Sequence, residues 1–473
     1  MTRPRLLLTL VGALAVAGCA TTAIDGNYKS AQSFASERLG RDLRWLTTDE
    51  ARNDAAREVD RLLGQPLGVD DAVRIALAHA PALQATLFDS AAESAVVTQS
   101  ARLPNPVFAF ERLVRSEAGI RELELTRTLA ISLYDLLLLP ARLRIAGVQQ
   151  EQLRYRLAGE VVQTATEARQ AWVRAVAAQQ SLQYHEQVKA AADASAELAR
   201  RMQAVGNFSK LQRAREQAFS AEAVAQLARA QQVARVCREQ LIRALGLDDA
   251  RAARLVLPER LPELPAAPVD EAQVYRYAMD DRLDVKLARA RLDVTAKEQG
   301  LSTITGFIGS LEVAGVSKSE TGLALQKGYE FEVPLPIFDF GDAVRARAQA
   351  AYSAALMRAA QLMIDARSQV RESYTTYRTA ADLARHYRDE IVPLRKVIAE
   401  ENVLRYNGML IGVFELLADT REQIASVVQA IDAQRDFWLA DAALQASLIG
   451  RPAAALGVAS ASTAAASAGA QRH

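Results

Sequence analysis

Cysteine is nearly absent from this chain: two in 473 residues, Cys19 and Cys237, too few for a disulfide framework. Histidine is as scarce. His79, His185, His386 and His473 form no HxxxH or His/Cys cluster, so neither a zinc nor a haem site is expected. GxSxG and a His-centred triad are missing as well, and the expectation is of no enzymatic activity, no catalytic residue, no metal and no cofactor. Charge of one sign is lacking too. The 57 bases and 56 acids nearly cancel, and no basic stripe with interleaved aromatics offers the concentrated surface that nucleic acid binding requires. Beyond residue 18 there is no unbroken apolar run of helix-spanning length, so a membrane crossing by this part of the chain has to be a β-barrel.

What is present begins with an address. Arg3 and Arg5 precede the apolar run Leu6 to Ala17, too short to span a bilayer and built like the h-region of a signal peptide covering residues 1–18. The run ends in Val16-Ala17-Gly18-Cys19, which resembles a bacterial lipobox; an ordinary signal peptide with an incidental cysteine is the plainer alternative. The lipobox resemblance implies cleavage before Cys19 and its lipidation, palmitate included, and Ala20 in the next position implies sorting to the outer membrane. Removing residues 1–18 takes Arg3 and Arg5 and no acid, which leaves 55 bases against 56 acids and a formal charge of −1. Cys237, in the helical stretch from Val233, reads as an inert buried thiol.

The rest of the chain states one programme twice. Residues 19–66 are polar and weakly patterned, which suggests an extended arm. A first repeat is expected over 67–256: a helix with Asp70 as its cap, a strand pair over 107–132, and a helical hairpin turning at Gly206. A second is expected over 269–450, with a strand pair over 306–338 and a tip at Gly408. Between them, the proline-rich connector 257–268 forbids helix. The Ala/Ser-rich stretch 451–473 reads as a low-complexity, disordered tail. Leu153, Leu157, Val161, Ala165, Ala168 and Trp172 recur at spacings of three and four in a run that holds no proline after Pro140. Such a helix extends roughly 100 Å at about 1.5 Å per residue. Pro393 is the expected kink of the corresponding run from Asp342 to Tyr406.

Two short segments alternate instead. In Arg121 to Leu129 and in Tyr329 to Ile337 apolar and polar residues exchange nearly every position, the period of a strand with one apolar face. Val107 to Arg115 and Gly306 to Gly315 are the expected partners. Strand parity puts Glu122 and Glu124 opposite Leu123 and Leu125, and Glu330 and Glu332 opposite Phe331 and Val333. If the apolar face meets lipid, those four glutamates face a lumen, because charge on the lipid side is costly. Arg127 falls on the lipid side and counts against the simplest register. Four strands cannot close a spanning barrel, whereas twelve from three chains can.

Several of these features together resemble one family. The lipobox, Pro104-Asn105-Pro106, the segment Val333 to Gly341 leading into a long helix, and the glycine-centred tips resemble the TolC-type outer membrane efflux factors, lipoprotein branch. The resemblance covers nearly all of residues 67 to 450. It implies a mainly α protein with a small β part, assembled as a homotrimer with a twelve-stranded β-barrel continued by a twelve-helix α-barrel tunnel. It also implies a passive exit duct for drugs or other small toxic compounds, lipid-anchored in the cell outer membrane and extending into the periplasm. The implied partners are a periplasmic membrane-fusion adaptor and an inner-membrane pump of RND type. By this resemblance the tips Val205, Gly206, Asn207, Asn407, Gly408 and Met409 meet the adaptor, and Glu415, Asp419 and Arg421 narrow the periplasmic aperture. Ala418 stands where the family carries an aspartate, with Asp419 one place later. The alternative is a coiled-coil periplasmic lipoprotein that acts as a scaffold without a pore.

Overall fold

The computed structural model describes residues 19–117, 120–271, 274, 282–305, 310–335 and 337–451. The signal segment and the tail beyond Arg451 therefore lie outside the described residues, as do the expected strand start at 306–309 and Pro336. Helices dominate. The chain runs through α1 (Cys19–Phe34), α2 (Asp49–Leu62), α3 (Val69–His79) and α4 (Pro81–Ser100) into strands β1 (Val107–Glu117) and β2 (Ile120–Ser132). The helical hairpin α5 (Leu133–Ala204) and α6 (Lys210–Leu245) and the short α7 (Asp249–Arg254) follow. The second pass has α8 (Leu283–Thr305), β3 (Glu312–Glu320), β4 (Gln326–Glu332), α9 (Asp342–His386), α10 (Val392–Asn407) and α11 (Val413–Ile449).

The long helices form as the sequence pattern requires. α5 is one 72-residue helix, with Pro140 in its first turns. Its counterpart runs through a π-turn at Tyr387–Ile391 between α9 and α10, with helical backbone on both sides, and Pro393 follows just after it. His79-Ala80-Pro81 likewise separates α3 from α4. Gly68, not Asp70, occupies the N-cap of α3, and Asp70 lies in the first turn, where a carboxylate suits the helix dipole.

The described chain divides into two compact units, one drawing on Phe88–Leu157, Asp284–Ile364 and the chain up to Ser30, the other on Ala31–Leu87, Ala158–Leu283 and the chain from Asp365 onward. The second unit holds the main core. Trp172 of α5 is buried among Leu67, Ile75, Leu241, Leu245 and Leu439, and its indole N–H donates to the Leu67 carbonyl at 2.7 Å. Tyr377, Phe437 and Leu444 form a further cluster between α9 and α11. Gly246 ends α6 at φ +68° with its α-carbon so close to Pro81 that a Cβ would lie 2.3 Å from the ring, so no other residue fits there.

The stretch 19–66 departs from the extended arm expected of it. It folds as α1, a π-turn at Ala35–Leu39 and α2, and within the first unit α1 is pinned through polar groups. Asn27 Nδ2 donates to Gln150 Oε1 at 2.7 Å, Ser94 Oγ donates to the same oxygen at 2.9 Å, and Arg154 Nε donates to Asn27 Oδ1 at 2.9 Å. Contacts of this kind leave no trace in hydrophobic periodicity, which is why the segment looks unstructured when read as sequence.

Asp441, on the packed side of α11, gives a testable pH dependence. Burial raises its carboxyl above the usual carboxylate range, while Arg169 and a hydrogen bond with Gln445 oppose the shift. A folded-state pKa above the unfolded value means that the native state binds the extra proton, so stability falls as pH rises through that window. Asp441→Asn removes the titration. The gap between variant and parent melting temperatures is expected to grow in the variant's favour as pH rises from the usual carboxylate range towards neutrality. A pH-independent gap in thermal melts would contradict it.

Candidate functional site

The register of the sheet fixes which side chains share a face. Its order is β1-β2-β3-β4, all antiparallel, with Val107 opposite Ala130, Ala130 opposite Ala314, and Ala314 opposite Glu330. Opposed residues project to the same side. Glu111, Glu122, Glu124, Glu312, Glu320, Glu330 and Glu332 therefore share one face, joined by two bases, Arg115 and Lys318. Lys318 pairs with Glu124 at 2.5 Å. The other face carries Phe108, Phe110, Leu123, Leu125, Leu129, Ile131, Val313, Tyr329 and Phe331, and no acid among the described side chains. Its aromatic residues are open to solvent, Tyr329 at 81 % and Phe108 at 64 %. Arg127 does lie on this apolar face. The strands themselves sit elsewhere than read from sequence: β3 is Glu312–Glu320, and β4 is Gln326–Glu332, ending ahead of Pro334, whose missing N–H cannot extend a ladder.

Within the second unit the three expected aperture residues separate. Arg421 Nη2 donates to Glu216 Oε1 at 2.8 Å, Ser195 Oγ donates to Glu216 Oε2 at 2.7 Å, and the guanidinium lies 4.2 Å from the centre of the Phe219 ring. One carboxylate thus ties α5, α6 and α11 together, and Glu216 is only 2 % exposed. Asp419 instead accepts a hydrogen bond from Asn402 of α10, inside its own hairpin. Glu415 is exposed and makes no ion pair among the described residues.

The two tips are built alike but one residue out of step with the glycines. At the first, the Asn207 N–H reaches back to the Met202 carbonyl at 2.9 Å and Gly206 takes φ +82°. At the second, the Leu410 N–H reaches the Arg405 carbonyl at 2.9 Å, so Met409, at φ +58°, occupies the place of Gly206. Gly408 keeps an ordinary negative φ of −78° and is not the left-handed residue that its sequence position suggested. Val205 is exposed, and Met409 is 93 % exposed.

Between α5, α6 and α11 runs an open groove of about 1080 Å³, lined by Arg174, His185, Phe219, Cys237, Arg421 and Asp432 among others. Burial raises the Cys237 thiol above its usual range, which keeps it protonated and unreactive. Burial lowers His185 despite the opposing charge of Asp432, and it raises Asp432 despite Arg435. Among the described residues no helix is long and apolar enough to cross a membrane.

Solved structures match this architecture at low sequence identity. A membrane protein from Pseudomonas aeruginosa gives a TM-score of 0.67 at 18 % identity, with 86 % of this chain and 95 % of that one covered. The CmeC outer membrane channel of Campylobacter jejuni gives 0.65 at 14 %, covering 84 % and 86 %. The outer membrane protein VceC of Vibrio cholerae gives 0.67 at 14 %, covering 81 % and 96 %. The fold is that of the TolC-type outer membrane channels. No protein-family model matches the chain, and no curated protein matches it in sequence.

Within this TolC-type fold, sequence reasoning found Arg421 but missed its partners. Glu216 lies in a helix rich in charged residues, and nothing in its local pattern separates it from a solvated glutamate. The capping box of Ser209 and Gln212, which starts α6 just past the first tip, was by contrast readable from the S-x-x-Q spacing.

Proposed function

We propose that the chain is one protomer of an outer membrane efflux channel, a passive duct that performs no chemistry. The observation that carries this reading is the sheet: both faces are exposed, β1 and β4 have no further strand beside them among the described residues, and one face is acidic while the other is apolar. Such a sheet is stable only when its edges are paired and its apolar face covered. Three copies in a bilayer meet both needs, as a twelve-stranded barrel with the acids inside and the helical hairpins forming a twelve-helix tunnel. The resemblance to outer membrane channels supports the same location. Cys19, at the start of α1, is the proposed lipid attachment point, and the tips are the proposed contact with a periplasmic adaptor and its inner-membrane pump.

Two measurements test it. Detergent-extracted protein is expected to be a trimer by multi-angle light scattering and to open discrete conductances in planar bilayers. A monomer with native helix and strand content, or a trimer without conductance, would favour a scaffold over a channel.

The tips add a prediction that separates the two turns. Gly206→Val forces a β-branched residue into left-handed backbone and is expected to cost about 1–2 kcal/mol, whereas Gly408→Val meets no such strain. Met409→Gly relieves the same strain and is expected to stabilise by a similar, smaller amount, on the order of 1 kcal/mol. Thermal melts read the stabilities. Export assays at matched abundance read the docking role, which predicts loss for Gly206→Val; unchanged export would remove this tip from the mechanism.

A further inference from the structure

The acids of the sheet are segregated, and so are its unpaired bases. Arg112, Arg121, Arg127 and Lys327 all lie on the apolar face, where no described acid can neutralise them. None of the four makes an ion pair among the described residues, in contrast to Lys318 on the acidic face, which is bonded to Glu124. Three of them are neighbours. Arg127 is opposite Ser317, and Ser317 is opposite Lys327, so the two cations are separated by two strand spacings, roughly 10 Å between α-carbons. Arg112 is opposite Leu125, which places it diagonally from Arg127 at about 7–8 Å. Side chains of this length, on one face, can converge on one anion, with the Ser317 hydroxyl between them.

Around the cations the surface is apolar. Phe110 is directly opposite Arg127, and Phe108, Leu129, Tyr329 and Phe331 line the same face towards the helices. A bare arginine facing hydrocarbon is costly, and the cost falls when an anion shares the site or the side chain reaches the headgroup layer. A phosphate that carries acyl chains answers both the charge and its surroundings, whereas a soluble anion answers only the charge.

We propose that Arg112, Arg127 and Lys327 form a site on the outer face of the sheet for the phosphate of an anionic membrane lipid, whose acyl chains lie along the neighbouring aromatic residues. This rests on the membrane-channel reading above. It adds to that reading a specific lipid contact on each protomer, supplied by side chains that would otherwise be misplaced.

The test uses the full-length protein reconstituted in vesicles of phosphatidylcholine alone or mixed with phosphatidylglycerol, then re-extracted, with the lipid that stays bound quantified. The parent is expected to retain phosphatidylglycerol well above its share of the bilayer. Each single substitution, Arg112→Gln, Arg127→Gln or Lys327→Gln, is expected to lower that enrichment roughly fivefold, and the triple variant to abolish it. Arg115→Gln, on the acidic face, is expected to leave it unchanged. Absence of enrichment in the parent, or equal enrichment in the triple variant, overturns the lipid site while flotation with the vesicles leaves the membrane reading intact. Failure of the parent to associate with either vesicle overturns both. If the triple variant does not assemble, the three single variants decide the matter.

Discussion

Arg421→Ala is expected to weaken the protein by about 2–4 kcal/mol and to widen the proposed channel. The reason lies with the partner that remains. Glu216 stays buried at 2 % exposure with Ser195 as its one remaining polar contact among the described residues, and removing one member of a buried pair costs more than the pair itself contributes. The guanidinium is itself partly exposed, which sets the lower end of that range below the fully buried case. Loss of the tie releases α11 from α5 and α6, and single-channel conductance is expected to rise. Glu216→Gln/Arg421→Ala is expected to recover part of the stability, because no charge is left stranded, but none of the closure. Asp419→Ala, by contrast, breaks a bond within one hairpin and should leave conductance near that of the parent. If Arg421→Ala and Asp419→Ala open the channel equally, the tie is not the Glu216 bridge.

The second large effect is on ion preference. Among the described side chains, seven carboxylates and two bases share the acidic face of each chain, and exchanging Glu122, Glu124, Glu330 and Glu332 for glutamine leaves three against two. The parent channel is expected to prefer cations strongly at low salt and less at high salt, as mobile ions screen the wall. The quadruple variant is expected to lose most of that preference. Glu124→Gln contributes twice, since it also releases Lys318. Reversal potentials across a KCl gradient measure both proteins. An anion-preferring parent would mean that this face does not line the pore.

Much of this fold was legible in the sequence because its largest elements carry long, regular signals. The three-and-four spacing from Leu153 to Trp172 announced α5, and the period of two in Arg121 to Leu129 announced β2. What failed was whatever depended on single residues. Gly408 looked like the twin of Gly206, yet the backbone gives the left-handed position to Met409, because the second hairpin closes one residue later with respect to its glycine. The end of β4 was read too far along, since Val333-Pro334-Leu335 keeps alternating after the ladder has stopped. Helix α1 was missed because amide and hydroxyl contacts hold it. Glu216 could not be singled out, because a glutamate buried by a residue 205 positions away has no local mark.

The separation of charge across the sheet also bears on how three chains find their joints. In the proposed trimer, sliding β4 of one copy against β1 of the next by a single residue would turn one chain's acidic face towards lipid and its apolar face towards water, because side chains alternate. Backbone hydrogen bonds alone do not distinguish that mistake from the correct joint, since every N–H meets a carbonyl in either case. The glutamates do, at several kcal/mol for each one misplaced near the bilayer centre. In the proposed trimer the acidic face would thus also act as a proofreading pattern during assembly, admitting only shifts of two residues and leaving shape complementarity at the strand ends to choose among those.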